Sequence, residues 1–234
     1  MNEQAKAART KRQRIEAKEA AILAVAEREF VAHGFDGARM AEIARRAGMG
    51  EGTLYLYFRT KSDLLAAVAG AFWGRLTAGA EETVSRDDAT FERLEALAAF
   101  HLERVMADFT LLELALYLRL MPGYDQNREL AQRRAYVAVF DAVFQQGVDR
   151  GDLRADAVLW MARDMFYGTL EYAARTLLLH NRRDKDGVVA HLMDLLAVYS
   201  TERGTPRPHP SQRDDLDRIA TRLDQAVARL EDKL

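Results

Sequence analysis

MAEIARRAGMGEGTLYLYF, residues 40–58, reads as two short helices joined by a turn built on glycine. The first spans about Arg39–Ala47 and the second about Glu51–Phe58, with Gly48-Met49-Gly50 between them, a helix-turn-helix arrangement. Each physical demand of that motif has a residue to meet it. Ala44 is small enough for a close helix crossing, Gly48 accepts the positive φ of the turn, and Ile43, Met49 and Leu54 furnish a small shared core. Glu51, Gly52, Thr53, Tyr55 and Tyr57 are left on the outside of the second helix. That surface is short, polar and aromatic, suited to a DNA major groove. Arg39, Arg59 and Lys61 flank it where phosphates would lie, and the basic stretch at 1–14 is expected to be a flexible arm that follows the DNA backbone or enters the minor groove.

Outward from this stretch the sequence predicts helix nearly everywhere. Ala, Leu, Glu, Arg and Gln dominate, apolar positions recur at three and four, and alternating strand patterns are scarce, so the fold class is all-α. A first helix is expected over Arg14–His33, stopped by Gly34. A fourth is expected from Ser62 as N-cap, and further helices near 88–109, 110–120, 127–149, 155–181 and 186–202. Pro206, Pro208 and Pro210 mark a linker over 204–212. It leads to an amphipathic segment, 213–234, whose Leu216, Ile219, Leu223, Val227 and Leu230 keep a helical spacing. The domain organisation that follows is an arm at 1–14, the helix-turn-helix domain at 15–62, a helical body at 63–203, the linker, and the terminal helix.

The chain has 234 residues and a near-balanced 34 Lys+Arg against 36 Asp+Glu, a net charge of −2. Resolved along the sequence, residues 1–63 carry +3 and the remainder −5, the asymmetry of a basic module joined to an acidic body. There is no cysteine, which excludes disulfide scaffolds, thiolate metal sites and thiol nucleophiles and suits a reducing cytosol. The first twenty residues lack an apolar run, so no secretory signal is expected. No stretch is long and apolar enough to cross a bilayer, so neither a membrane partner nor a membrane location is expected. The Gly48-x-Gly50-x-Gly52 series fails as a dinucleotide loop, because no apolar strand precedes it. The five histidines have no metal-ligand spacing, no nucleophile elbow or phosphate loop is present, and neither an enzymatic activity nor a cofactor is expected.

Residues 15–66 resemble the DNA-binding domain of the TetR family of bacterial transcriptional repressors. The resemblance rests on A-x-x-x-F-x-x-x-G-F closing the first helix, I-A-x-x-A-G in the second, G-T-L-Y-x-Y-F in the recognition helix and K-x-D-L-L opening the fourth. It implies that Thr53, Tyr55 and Tyr57 contact DNA, that Arg39 and Lys61 hold phosphates, and that Glu51 and Gly52 belong to the same contact surface. Two positions depart from the pattern: Ala38 stands where a hydroxyl N-cap is usual, and Gly50 replaces the usual Ser before the recognition helix. Glycine can still cap a helix, whereas alanine cannot.

For the body, the resemblance implies a ligand-binding and dimerisation domain acting as a homodimer on a palindromic double-stranded operator. A mostly apolar pocket is expected to draw on Phe100, Arg104, Phe109, Tyr117, Phe140, Phe144, Met165 and Phe166. The segment ADAVLWMARDMFYGTLEYAARTLLL is apolar nearly all round, so it must be covered on every side, and a dimer interface is expected through Trp160, Tyr167, Leu170 and Leu177, with Leu192 and Leu196 of the next helix. Y-G-T-L-E-Y-A-A-R-T, with the Y-L-Y-F of the recognition helix, is similar to the fatty-acid-metabolism (FadR-type) branch, which implies a long-chain acyl-CoA effector. Alternatives are a drug- or metabolite-responsive efflux regulator and, from another class, a helical scaffold that recruits partners through 213–234.

Overall fold

A computed structural model of the chain describes residues 3–84, 88–118 and 126–201, with side chains described from residue 12 and, after 118, from residue 131. Within them the chain is helical: α1 (Glu3–Gly37), α2 (Met40–Arg46), α3 (Glu51–Tyr57), α4 (Lys61–Thr83), α5 (Thr90–Ala107), α6 (Phe109–Tyr117), α7 (Gln126–Arg150), α8 (Leu159–Leu179) and α9 (Lys185–Leu196), closed by a 3-10 turn at Ala197–Tyr199. The linker at 204–212 and the segment 213–234 lie outside the described residues.

Two boundaries, the starts of α1 and α4, differ from the sequence reading. Helix α1 reaches back to Glu3, so the backbone of residues 3–14 is helical where a flexible arm was expected. Its far end is broken at Gly34, whose φ of 69° is open to glycine at no steric cost. The start of α4 is set by Thr60 rather than Ser62. Thr60 Oγ1 accepts from the Asp63 amide at 3.0 Å, and the Thr60 amide donates back to Asp63 Oδ2 at 3.1 Å, a reciprocal capping box.

The described residues fall into two compact units, one within 3–79 and 108–136 and the other within 80–107 and 137–201. A linear boundary at 62/63 therefore misses that α6 belongs with the head: it packs on α1, and the Tyr117 ring lies 6.2 Å from that of Phe35. The head core is made by Ile22, Ala26 and Phe30 of α1, Ile43 and Ala44 of α2, Leu54 of α3, and Leu64, Leu65 and Val68 of α4. Arg75 pairs with Glu27 at 2.9 Å and ties α4 to α1.

In the second unit α5 packs on both α8 and α9, and α8 on α9. Leu97, Leu102, Phe140, Phe144, Phe166, Leu170 and Leu192 are buried there. Thr90 donates to Asp152 at 2.6 Å, and Arg93 to Gln146 at 2.8 Å, fastening the start of α5 to the end of α7 and the turn after it.

Candidate nucleic-acid interface

The turn between α2 and α3 is fixed by two backbone hydrogen bonds. The Gly48 amide donates to the Arg45 carbonyl at 3.2 Å and the Met49 amide to the Ala44 carbonyl at 3.0 Å, with Gly48 at φ 70°. This is the Schellman closure of a helix, in which the residue past the C-cap takes the left-handed conformation. Gly50 caps α3 through extended backbone without a side-chain bond. The cap of α2 is Arg39, one residue beyond the Ala38 of the sequence reading, and it too makes no side-chain bond, since a guanidinium has no acceptor to offer.

Within α3 only Leu54 is buried. It docks the helix while Glu51, Gly52, Thr53, Tyr55 and Leu56 stay exposed and Tyr57 is half-buried. The expected surface is thus brought together on one short helix. Leu56 was missed, although the signal was present: it lies two residues, about 200° of helix rotation, from Leu54 and cannot share its buried face.

The basic residues around this surface are of two kinds. Arg45 and Arg46 are held by acids of their own domain. Glu42 accepts from Arg45 at 2.7 Å and from Arg46 at 2.6 Å, while Arg46 also pairs with the buried Glu29 of α1. The two guanidinium hydrogen bonds pull the Glu42 carboxyl down to about 2. This network braces α2 against α1. Arg39 and Arg59, in contrast, are exposed and have no ion pair among the described residues.

Lys61 takes a different place from the one expected. Its Nζ donates to the carbonyls of Asp36 at 3.2 Å and Ala38 at 3.1 Å and stands 4.5 Å from the centre of the Phe35 ring, a cation–π contact. Two of its three donors are spent on the α1–α2 connection, leaving one for a phosphate.

Residues 22–68, which span the α1 core, the turn, α3 and the start of α4, match the model of the family described as bacterial regulatory proteins, tetR family. This stretch of the chain is similar to the DNA-binding domain of the TetR family. Among curated proteins, the fatty acid metabolism regulator protein of Bacillus subtilis (strain 168) is 25% identical over 171 residues, covering 70% of this chain and 83% of that one. The HTH-type transcriptional repressor KstR2 of Mycobacterium tuberculosis (strain ATCC 25618 / H37Rv) is 27% identical over 151 residues, 61% of this chain and 74% of that one. In structure the chain is similar to FadR from Bacillus subtilis solved in complex with stearoyl-CoA, with a TM-score of 0.64 and 22% identity over 76% of this chain and 96% of that one. These relatives are transcriptional regulators, not enzymes.

The residues expected in an effector pocket do not all fall in one unit. Phe140, Phe144 and Phe166 are fully buried, and Phe140 packs against both of the others. The Phe140 ring is 4.8 Å from Phe166 and 5.6 Å from Phe144, and Tyr167 joins them, edge-on to His101 at 5.0 Å. Phe100 and Met165 are half-buried in the same unit and Arg104 is exposed, while Phe109 and Tyr117 belong to the head unit.

Five of the six residues expected at a dimer interface are covered by their own chain. Tyr167, Leu170, Leu177, Leu192 and Leu196 are buried, and Trp160 alone is open, at 57% exposure. A side chain already removed from water cannot be the contact face. What α8 and α9 do expose is a different apolar set: Met161, Tyr172 and Leu179 of α8 and Leu195 of α9, with Val198 just beyond it.

Proposed function

We propose that this TetR-family chain is a cytoplasmic, homodimeric transcriptional repressor that binds a palindromic operator and leaves it when a long-chain acyl-CoA occupies the body. The observation that carries the operator reading is α3, docked by Leu54 alone and otherwise open, with unpaired Arg39 and Arg59 beside it. One such helix reaches few base pairs, and two-fold pairing sets two of them about 34 Å apart in successive major grooves.

The exposed face of α8 supports the pairing. Met161, Gly168, Tyr172, Arg175 and Leu179 repeat at intervals of three, four and seven, so they share one side of the helix, and that side is open in the single chain. Met161, Tyr172 and Leu179 on that side are exposed large apolar side chains, the kind of surface that marks a protein interface. For the effector, support comes from the stearoyl-CoA complex of a similar fold and from an aromatic core of pliable size around Phe140, Phe166 and Met165. An acyl-CoA that prefers the conformation with mis-spaced heads shifts the population off DNA by its difference in affinity for the two states.

Fluorescence anisotropy with a duplex from the chain's own promoter tests this. Tight, salt-dependent binding over random DNA is expected, and stearoyl-CoA should release the duplex where free CoA does not. Equal binding to random DNA would sink the operator reading. Retention of the duplex at saturating stearoyl-CoA would sink the effector.

A further inference from the structure

The most exposed large apolar side chain in the described residues is Leu56, at 85%, and it stands one residue before the end of the helix that should meet DNA. Nothing in its own domain covers it. Its helical neighbours on the same face are Gly52 and Thr53, four and three residues back. A Cβ built at Gly52 would meet no atom within 4 Å, so the space beside this face is open and its side chains are an isobutyl group and a hydroxyl. A backbone unscreened at Gly52 can come close to base edges, and Leu56 follows it one turn on along the same face.

The floor of the major groove offers one apolar group, the C5-methyl of thymine; every other base edge presents hydrogen-bond donors or acceptors. Seating Leu56 against a donor or acceptor would strip it of water without a replacement bond. Against a methyl group, both partners gain by leaving water. We infer that Leu56 is a specificity-determining residue that packs on the methyl of a thymine at one fixed position in each half of the operator. The inference rests on the operator reading above and adds to it a base that the polar residues of α3 do not select.

Thymine-to-deoxyuridine substitution removes that methyl and leaves the base-pairing and groove hydrogen-bond groups in place. The probe is the duplex that the full-length chain enriches from a random pool, with each thymine replaced in turn. One symmetric pair of positions is expected to weaken wild-type binding by about fourfold per methyl, the worth of one such group removed from water. Leu56→Ala should bind the thymine duplex less tightly and respond to deoxyuridine at that pair no more than at any other, the signature of coupled partners. Its helical content should be unchanged, because the side chain is exposed. Full tolerance of deoxyuridine at every thymine by the wild type, or an equal loss in wild type and Leu56→Ala, would overturn the assignment while the operator reading stood. If the wild type enriches no duplex at all, both fall together.

Discussion

The head and the body treat their exposed surfaces in opposite ways. In the head, acids and bases near the contact helix are spent internally, Glu29 and Glu42 on Arg45 and Arg46 and Lys61 on two carbonyls, so that the helix pair is held in place before anything binds. In the body, the aromatic core is filled from within, and large apolar side chains are left outside, Tyr172 at 76% and Leu179 at 73% exposure. A surface that must dock on a charged polymer keeps its geometry by ion pairs and leaves a few cations free. On the proposed reading, a surface that meets a copy of itself keeps uncovered hydrocarbon. Breaking either arrangement should therefore cost different things.

The largest effect is expected in the head core. Leu54 is fully buried and is the single side chain that docks α3. Leu54→Ala should destabilise the head by about 2–5 kcal/mol, the range for a leucine truncated in a packed core. DNA binding should go with it, read by chemical denaturation and by anisotropy. Intact binding would mean that α3 is held by something other than its core residue.

Next comes the body face. Tyr172→Asp should weaken self-association by at least tenfold and leave the helical signal unchanged, since a central aromatic is the kind of residue that carries interface energy. Leu170→Ala, two residues away but buried, should lower stability by about 2–5 kcal/mol with little effect on the mass of the folded species. Sedimentation at several concentrations separates the two. If Leu170→Ala dissociated the protein and Tyr172→Asp did not, the interface would lie on the other side of α8.

That pair of substitutions also shows where the sequence could and could not be read. Helix positions from α5 to α9 were legible to within a few residues, because long apolar periodicities leave little freedom. The outward side of α3 was legible apart from Leu56, because the turn residues orient the helix. The open side of α8 was not: with apolar residues all round, periodicity cannot say which side meets its own chain, and the residues expected outside, Trp160 apart, are core. The role of Lys61 was equally hidden, since the two carbonyls it grips lie 23 and 25 residues away and Phe35 lies next to the farther one. At the start of α4, Thr60 and Ser62 both offered a hydroxyl, and only the return bond from Asp63 decides between them.

Lys61 permits a smaller test of the same contrast between bracing and free cations. Lys61→Met should cost about 1–2 kcal/mol of head stability, from one cation–π contact and two carbonyl bonds. Arg59→Ala should leave stability unchanged and reduce the salt dependence of DNA binding by about one charge. A Lys61→Met variant of full stability whose salt dependence fell by one would make Lys61 a phosphate ligand first and a clasp second.

The smallest effect belongs to Glu42, and its sign follows from the direction of its shift. Folding lowers this carboxyl from 4.5 to about 2 through the hydrogen bonds from Arg45 and Arg46. A group depressed in the folded state contributes its full stabilisation above its unfolded value and loses it as the pH falls through the folded one. The window is therefore between about 4.5 and about 2. Because the pair is open to solvent, salt should erode the contribution further. Denaturation midpoints of wild type and Glu42→Gln should differ most near neutral pH at low salt and converge towards pH 2. A difference that grew as the pH fell would mean that Glu42 is not held by these arginines, and with it would go the claim that the head spends its charges on its own geometry before it meets DNA.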